Sequence, residues 1–287
     1  RTGHNRPEGG VNTPCPGEEA MGENVDFSRY EKIKASRQGR VLMLSLSNPA
    51  LMNAVDGEMH RELSRIFLDA ADDAASDVIV LTGEGAAFSA GGDLNWMKRG
   101  FEAGEKGPDA AEAKRIIFSL LDLEKPVIAK VRGPAIGLGA TIALMCDVIF
   151  AGESARFADP HVRAGIVVGD GGAVIWPQLV GYARAKEYLM TGDAVPAVEA
   201  ERIGLVNHVV PDADLDARVD AFAAKLAGGA LQAIKYTKVS VNIGLKQLAH
   251  MILDTSIGYE MLTFTTEDHR EAVDAFLEKR KPVFTGR

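Results

Sequence analysis

The chain has 287 residues, of which 46% are hydrophobic and 25% charged, the balance of an ordinary water-soluble globular protein with a sizeable core. A net charge of -8 and a pI near 5.4 argue against nucleic acid as a partner, because phosphate binding depends on clustered Lys and Arg. No window approaches the roughly 20 apolar residues that span a bilayer, so no membrane partner is expected. Cys15 and Cys146 are too few and too far apart for a disulfide framework; that usage fits a reducing, cytoplasmic setting.

The first stretch, residues 1–24, is rich in Gly, Pro and polar residues and carries neither strand nor helix period. It reads as a disordered tail, or a remnant ahead of Met21. From Arg40 the pattern alternates. Strands are expected at 40–47, 77–83, 125–133 and 146–152, each a short apolar run, most of them bounded by Gly or Pro. Helices are expected at 56–73, with Met59, Leu63, Ile66, Phe67 and Ala70 on one face, and at 110–121. The run Ala140–Cys146 reads as a buried helix. Strands interleaved with helices indicate an α/β core with buried strands. After about Val198 the text becomes helical and amphipathic, and no strand signal follows Val209–Val210. The expected division is a core over residues 25–205 and a helical region over 206–287.

Two glycine-rich segments, FSAGGDL at 88–94 and VRGPAIGLGATIALMCD at 131–147, each place a turn after a strand and before a helix. Such turns leave unpaired N–H groups at a helix N-terminus, where the helix dipole favours negative charge. Two donors converging from different turns make an oxyanion hole, and losing one donor costs about 3–4 kcal/mol in transition-state stabilisation. Plain packing turns remain an alternative. Nucleotide binding is disfavoured, since neither segment follows G-x-G-x-x-G or G-x-x-x-x-G-K-[ST].

These segments, together with FADPHVRAGIVVGDGG, AKEYLMTGD, GLVNHVV and EDHREAVDAFLEKRKPVF, closely resemble the crotonase (enoyl-CoA hydratase/isomerase) superfamily in order and spacing, from about Val25 to the C-terminus. The resemblance implies a ββα spiral core with a C-terminal helical trimerisation region, assembled as a homotrimer or as a hexamer of paired trimers. It implies an acyl-CoA or enoyl-CoA substrate, no separate cofactor, no metal, and a thioester enolate held by two backbone amides. By position those amides are Ala90 and Leu138, with Gly137 and Gly139 admitting the thioester oxygen. Asn53, Ala54, Phe276 and Lys279 match the CoA contacts, the last two toward an adjacent subunit. The basic residue usual before the LNA-like segment is Ala50 here. Asp93 is expected to cap the helix Leu94–Arg99. Trp96 and Met97, in a charged, mobile loop over 96–114, are candidates for the acyl pocket.

The chain departs from the family where its hydratases carry two glutamates. Those positions hold Thr141 and His161. His161 has the right unperturbed pKa for a base, and Asp170, expected against Val167, Val168 and Trp176, would gain a raised pKa and act as an acid. A turn brace at His161 and an N-cap at Asp170 are the structural alternatives. The sequence therefore predicts a hydratase or isomerase of uncertain reaction. Its rivals are an acyl-CoA decarboxylase or C–C lyase, and an acyl-CoA-binding protein without turnover.

Overall fold

The structure is a computed structural model that describes residues 24–104 and 108–287; the predicted tail over 1–24 and Cys15 lie, but for Asn24, outside the described residues. The first strands are β1 (Ile33–Gln38) and β2 (Val41–Leu46), joined through Gly39 at φ +58°. They pair antiparallel, and β3 (Val78–Gly83), β4 (Val127–Val131), β6 (Val148–Gly152) and β9 (His208–Val210) extend the sheet in parallel, in the order β1-β2-β3-β4-β6-β9. A second sheet, ordered β5-β7-β8, comprises β5 (Pro134–Ile136), β7 (Arg156–Ala158) and β8 (Val195–Pro196).

Each turn of the chain contributes a strand to the large sheet, then a short extended piece, then a helix. The strand β2 is followed by an extended piece at Val55 and then α1 (Gly57–Asp72); β3 by the piece through Ser89 and Gly92 and then α2 (Leu94–Glu102). After α3 (Ala110–Asp122), β4 leads through β5 into α4 (Leu138–Leu144), and β6 through β7 into α5 (Gly172–Thr191). This is the ββα spiral that the sequence predicts. The strand expected at 125–133 is β4, which the sequence reading did not separate from β5; just past the end of β4, Gly133 at φ +61° bends the chain out of one sheet into the other. A Cβ there would lie 2.0 Å from the Ala86 carbonyl oxygen, so only glycine fits.

Period-two alternation divides the core. Leu42, Leu44, Leu46, Ile79 and Leu81 face the larger core beneath α1, α3, α4 and α5. Val78, Val80, Ile128 and Phe150 face the other side, where α7 (Leu215–Ala227) covers them with Leu215, Val219 and Ala223. The sheet is complete only with β9, and its second face is covered only by α7. The core therefore extends past the expected boundary at 205/206, through α7 and on to Ala249, Leu253 and Ile257 of the long helix that follows. The short α6 (Ala197–Arg202) links β8 to β9; α8 (Leu231–Thr263) and α9 (Glu267–Leu277) complete the chain. Among the described residues no helix is long and apolar enough to cross a membrane.

Capping agrees with the sequence. Asp56 accepts the Met59 N–H at the start of α1, and Asp93 accepts the Asn95 N–H at the start of α2. The region 96–114, expected as a mobile loop, is largely α2 and the start of α3, with residues 105–107 outside the described ones. Its apolar spacing (Leu94, Met97, Phe101) is helical, but Gly100 and Gly104 obscure it.

Asn53 is another correction. It is fully buried at φ +56°; its side-chain oxygen accepts the Asn48 N–H, and its amide donates to the carbonyls of Glu84 and Ala87 at 2.9 and 2.8 Å. The side chain is thus occupied in bracing two turns and does not face a ligand. Asn53→Ala leaves these buried partners unpaired, at about 1–3 kcal/mol each. Urea unfolding should show a clearly lowered midpoint; unchanged stability with weakened CoA binding alone would restore the ligand-contact role.

Candidate active site

The two glycine-rich turns meet side by side. Phe88 and Ser89 donate to the Pro134 carbonyl at 3.0 Å, and Ile136 donates back to the Ser89 carbonyl at 3.0 Å, so the first turn is stitched to β5 just before α4 begins. The contact tolerates no added carbon: a Cβ on Gly139 would lie 2.5 Å from the Ser89 Cβ, and one on Gly91, at φ +84°, would lie 3.0 Å from the Ile136 oxygen. Gly137 takes φ +54° and N-caps α4, leaving Leu138 as its first residue. The Leu138 N–H has no intrahelical acceptor, as for any first-turn amide.

The first turn does not offer the amide that the sequence suggested. The Ala90 N–H donates to the Met52 carbonyl at 2.9 Å and is therefore occupied. On either side of Gly92, the Val55 N–H donates to the Gly91 carbonyl at 2.7 Å and the Asp93 N–H to the Val55 carbonyl at 2.9 Å. In an extended segment successive amides point to opposite sides. The Gly92 N–H accordingly points away from Val55 and has no acceptor among the described residues. The open donor is Gly92, two residues on from Ala90, and the glycine run alone does not reveal which of its amides is engaged.

A cavity of about 630 Å³ opens against these turns. Its walls include Ala54, Ala90, Gly92, Met97, Gly137, His161 and, from α9, Ala272, Val273 and Phe276. Lys98 holds α9 in place through an ion pair with Asp274 at 2.7 Å. Phe276 thus lines the cavity of its own chain, where the sequence reading directed it toward a neighbour. Lys279 is exposed at φ +57° and is not among the lining residues; neither are Leu138 and Asp170. Met97 packs over Gly92, whereas Trp96 sits against Gly57 and His60, away from the lining.

His161 opens a short 3-10 turn, His161–Ala164, and is ringed by carboxylates. Its Nδ1 contacts Asp159 Oδ1, and its Nε2 lies 3.3 Å from Asp170 Oδ2 and 3.7 Å from Glu260 Oε1. Thr141 Oγ1 donates to Asp170 Oδ1 at 3.3 Å, so both positions where family hydratases carry glutamates touch Asp170. All four ionisable groups are buried or nearly so. Asp159 and Glu260 were not apparent from the sequence. Asp159 is readable in hindsight from D-P-H, which folds the carboxylate back onto the ring; Glu260 is a lone acid 99 positions after His161.

The electrostatics reverse the protonation states expected of both groups. Burial works against a charged imidazole, but Asp159 and Asp170 outweigh it and raise the His161 pKa well above its ordinary value. Burial works to raise Asp170, but His161, Thr141 and the Gly172 amide outweigh it and lower the carboxyl below its usual range. The apolar surroundings expected for Asp170 are replaced by a cation and a hydroxyl. Near pH 7 the contact is an imidazolium against a carboxylate. Burial pushes Glu260 up to about 8, with Asp170 and Asp159 reinforcing the rise against His161, so this third acid is protonated at neutral pH. Asp159, His161 and Asp170 bring ligand atoms within 4.8 Å of one another, a spacing that also suits a cation. Here the central positive charge is the imidazolium's own, with Asp170 on one nitrogen and, on the other, Asp159, whose carboxyl pKa burial raises against the pull of His161. The free Cys146 thiol is buried, its pKa raised by desolvation, and its S–H donates to the Ile142 carbonyl, so it brings no reactivity.

The chain matches the Enoyl-CoA hydratase/isomerase family over residues 36–287. Crotonyl-CoA hydratase of Syntrophomonas wolfei is 35% identical over 258 residues, covering 89% of this chain and 98% of that protein. The 2,3-dehydroadipyl-CoA hydratase of Escherichia coli is 36% identical over 260 residues, covering 88% and 98%. Among solved structures, an enoyl-CoA hydratase/isomerase from Mycobacterium paratuberculosis superposes with a TM-score of 0.79 at 34% identity, covering 85% of this chain and 97% of that one. With nearly the whole of the spiral and its helices matched in sequence and in shape, the chain belongs to the enoyl-CoA hydratase/isomerase family, the crotonase superfamily of acyl-CoA enzymes.

Proposed function

We propose that this protein moves protons at the α-carbon of an enoyl- or acyl-CoA thioester, either as a hydratase that adds water oxygen at the β-carbon or as an isomerase that shifts the double bond by a second proton transfer at the γ-carbon. The thioester oxygen is held by the amides of Gly92 and Leu138, and the His161–Asp170 ion pair carries the protons. The observation that bears most weight is the 3.3 Å contact between His161 Nε2 and Asp170 Oδ2 beside a cavity that His161 lines.

Hydration needs one group to take a proton from water and one to give a proton to the α-carbon. A pair of glutamates does this with one carboxylate and one carboxylic acid. An imidazolium and a carboxylate in contact hold the same inventory, one acid and one base, with Asp170 the acceptor and His161 the donor. Isomerisation uses the same two groups in sequence, removing a proton from one carbon and returning it to another. In either case negative charge grows on the thioester oxygen, where two fixed N–H donors and the N-terminal field of α4 stabilise it. The retained acid–base pair favours turnover over passive acyl-CoA binding. It also distinguishes the site from a decarboxylase or C–C lyase, where the oxyanion hole alone does most of the work.

Several large apolar side chains stand exposed along α8, including Tyr236, Val241, Met251 and Tyr259. A face of this kind on the longest helix supports the homotrimer or hexamer implied by the sequence.

Incubation with butyryl-CoA in heavy water should place deuterium at the α-carbon. Asp170→Asn should slow this exchange by about 10²–10⁴-fold while leaving CoA affinity near wild type; wild-type exchange in that variant would remove Asp170 from the mechanism. Leu138→Pro tests the oxyanion donor, since proline is well tolerated at the first position of a helix and removes the N–H, while Leu138→Ala controls for the loss of the buried leucine side chain. The variant should fold normally and lose about 10²–10³-fold in kcat/KM, with Leu138→Ala nearly neutral. Equal rates in the two variants would show that this amide is not used.

A further inference from the structure

We propose that Glu260 is a positioning residue for the acid–base pair: from the C-terminal helix it governs how tightly His161 holds its Nε2 proton. This inference rests on the reading of His161 and Asp170 as the proton carriers. Two side chains of α8 fix the loop that bears Asp170. Ser256 donates to the Gly169 carbonyl at 3.0 Å, Thr263 Oγ1 accepts the Val167 N–H at 3.0 Å, and Glu260 lies between them. The loop makes room for that carboxyl by placing glycine at 169, where a Cβ would fall 2.3 Å from Glu260 Oε2 and 2.5 Å from its Cβ. A buried acid in a packed helix face, opposite a glycine that admits it, stands 3.7 Å from the His161 Nε2, so its charge state acts directly on that nitrogen.

The groups around it set the sign of its effect. Facing Glu260 are His161 at 3.7 Å and the carboxylates Asp170 and Asp159. From α9, beyond the 3-10 turn, comes His269, whose Nδ1–H donates to the Ala164 carbonyl and which burial holds uncharged. With Glu260 protonated the imidazolium faces the ionised Asp170 on one nitrogen and Asp159, whose carboxyl pKa burial raises, on the other. When Glu260 ionises, near pH 8, a further negative charge falls beside Nε2, and His161 becomes a weaker acid. The His161 proton is therefore more readily given up below that pH than above it.

The test is the imidazole titration of the full chain by NMR, with the His161 signal assigned by its loss in His161→Gln. In Glu260→Gln, His161 should lose its proton about one pH unit or more earlier than in wild type, since a nearby opposite charge has been removed. Glu260→Asp, which keeps a carboxylate, should restore part of the difference. The pH profile of α-proton exchange into butyryl-CoA should decline above about pH 8 in wild type, and that decline should flatten in Glu260→Gln. Identical His161 titrations in wild type, Gln and Asp forms would overturn the proposal. The titration needs no substrate, so it can fail while exchange shows the acid–base pair at work, or succeed where exchange is absent.

Discussion

The site depends on a short piece of backbone pairing between Ser89 and the strand Pro134–Ile136. These hydrogen bonds, at 3.0 Å, bring two loops from different turns of the spiral close enough that glycine is required on both sides. The geometry of the turn then selects which amides are available. Ala90 is turned toward Met52 and occupied; Gly92 is turned the other way; Leu138 is free because helix geometry leaves every first-turn amide without a partner. Backbone donors cost no side-chain entropy and cannot rotate away. That is why, in the proposed mechanism, this pairing sets where charge is stabilised.

The second element is charge balance in a buried space. An imidazolium in the interior is unfavourable alone, and so is each carboxylate. Together, Asp159 on Nδ1 and Asp170 on Nε2 make a cluster in which each charge compensates another. In the proposed function this cluster stands in for the two absent glutamates, and it draws on positions outside those two. Thr141 has no useful proton of its own near pH 7, yet it donates to Asp170 and helps keep that carboxyl ionised.

Much of the fold is legible in the sequence, for physical reasons. Buried parallel strands are continuous apolar runs, and α1 has a stripe and a cap that leave little choice. The short strands β5, β7 and β8 are not legible, since two or three residues carry no period. Of the site, Leu138, His161 and Asp170 follow from position within recognisable blocks. Ala90 was the natural choice within AGGD because spacing identifies a turn but not the direction of each N–H. Asn53 resembled a ligand contact because a buried brace and a binding residue are the same letter. The protonation states of His161 and Asp170 needed the third dimension: they depend on burial and on each other, with Asp159 acting on His161 and Thr141, from α4, acting on Asp170.

The central claim is that one thioester carbonyl sits between the amides of Gly92 and Leu138. A crystal structure with a bound acyl-CoA tests it most directly. The account places the carbonyl oxygen about 2.7–3.1 Å from both nitrogens, with the α-carbon toward His161. A carbonyl bound elsewhere in the cavity, or one held by the Ala90 nitrogen after it leaves Met52, would contradict it.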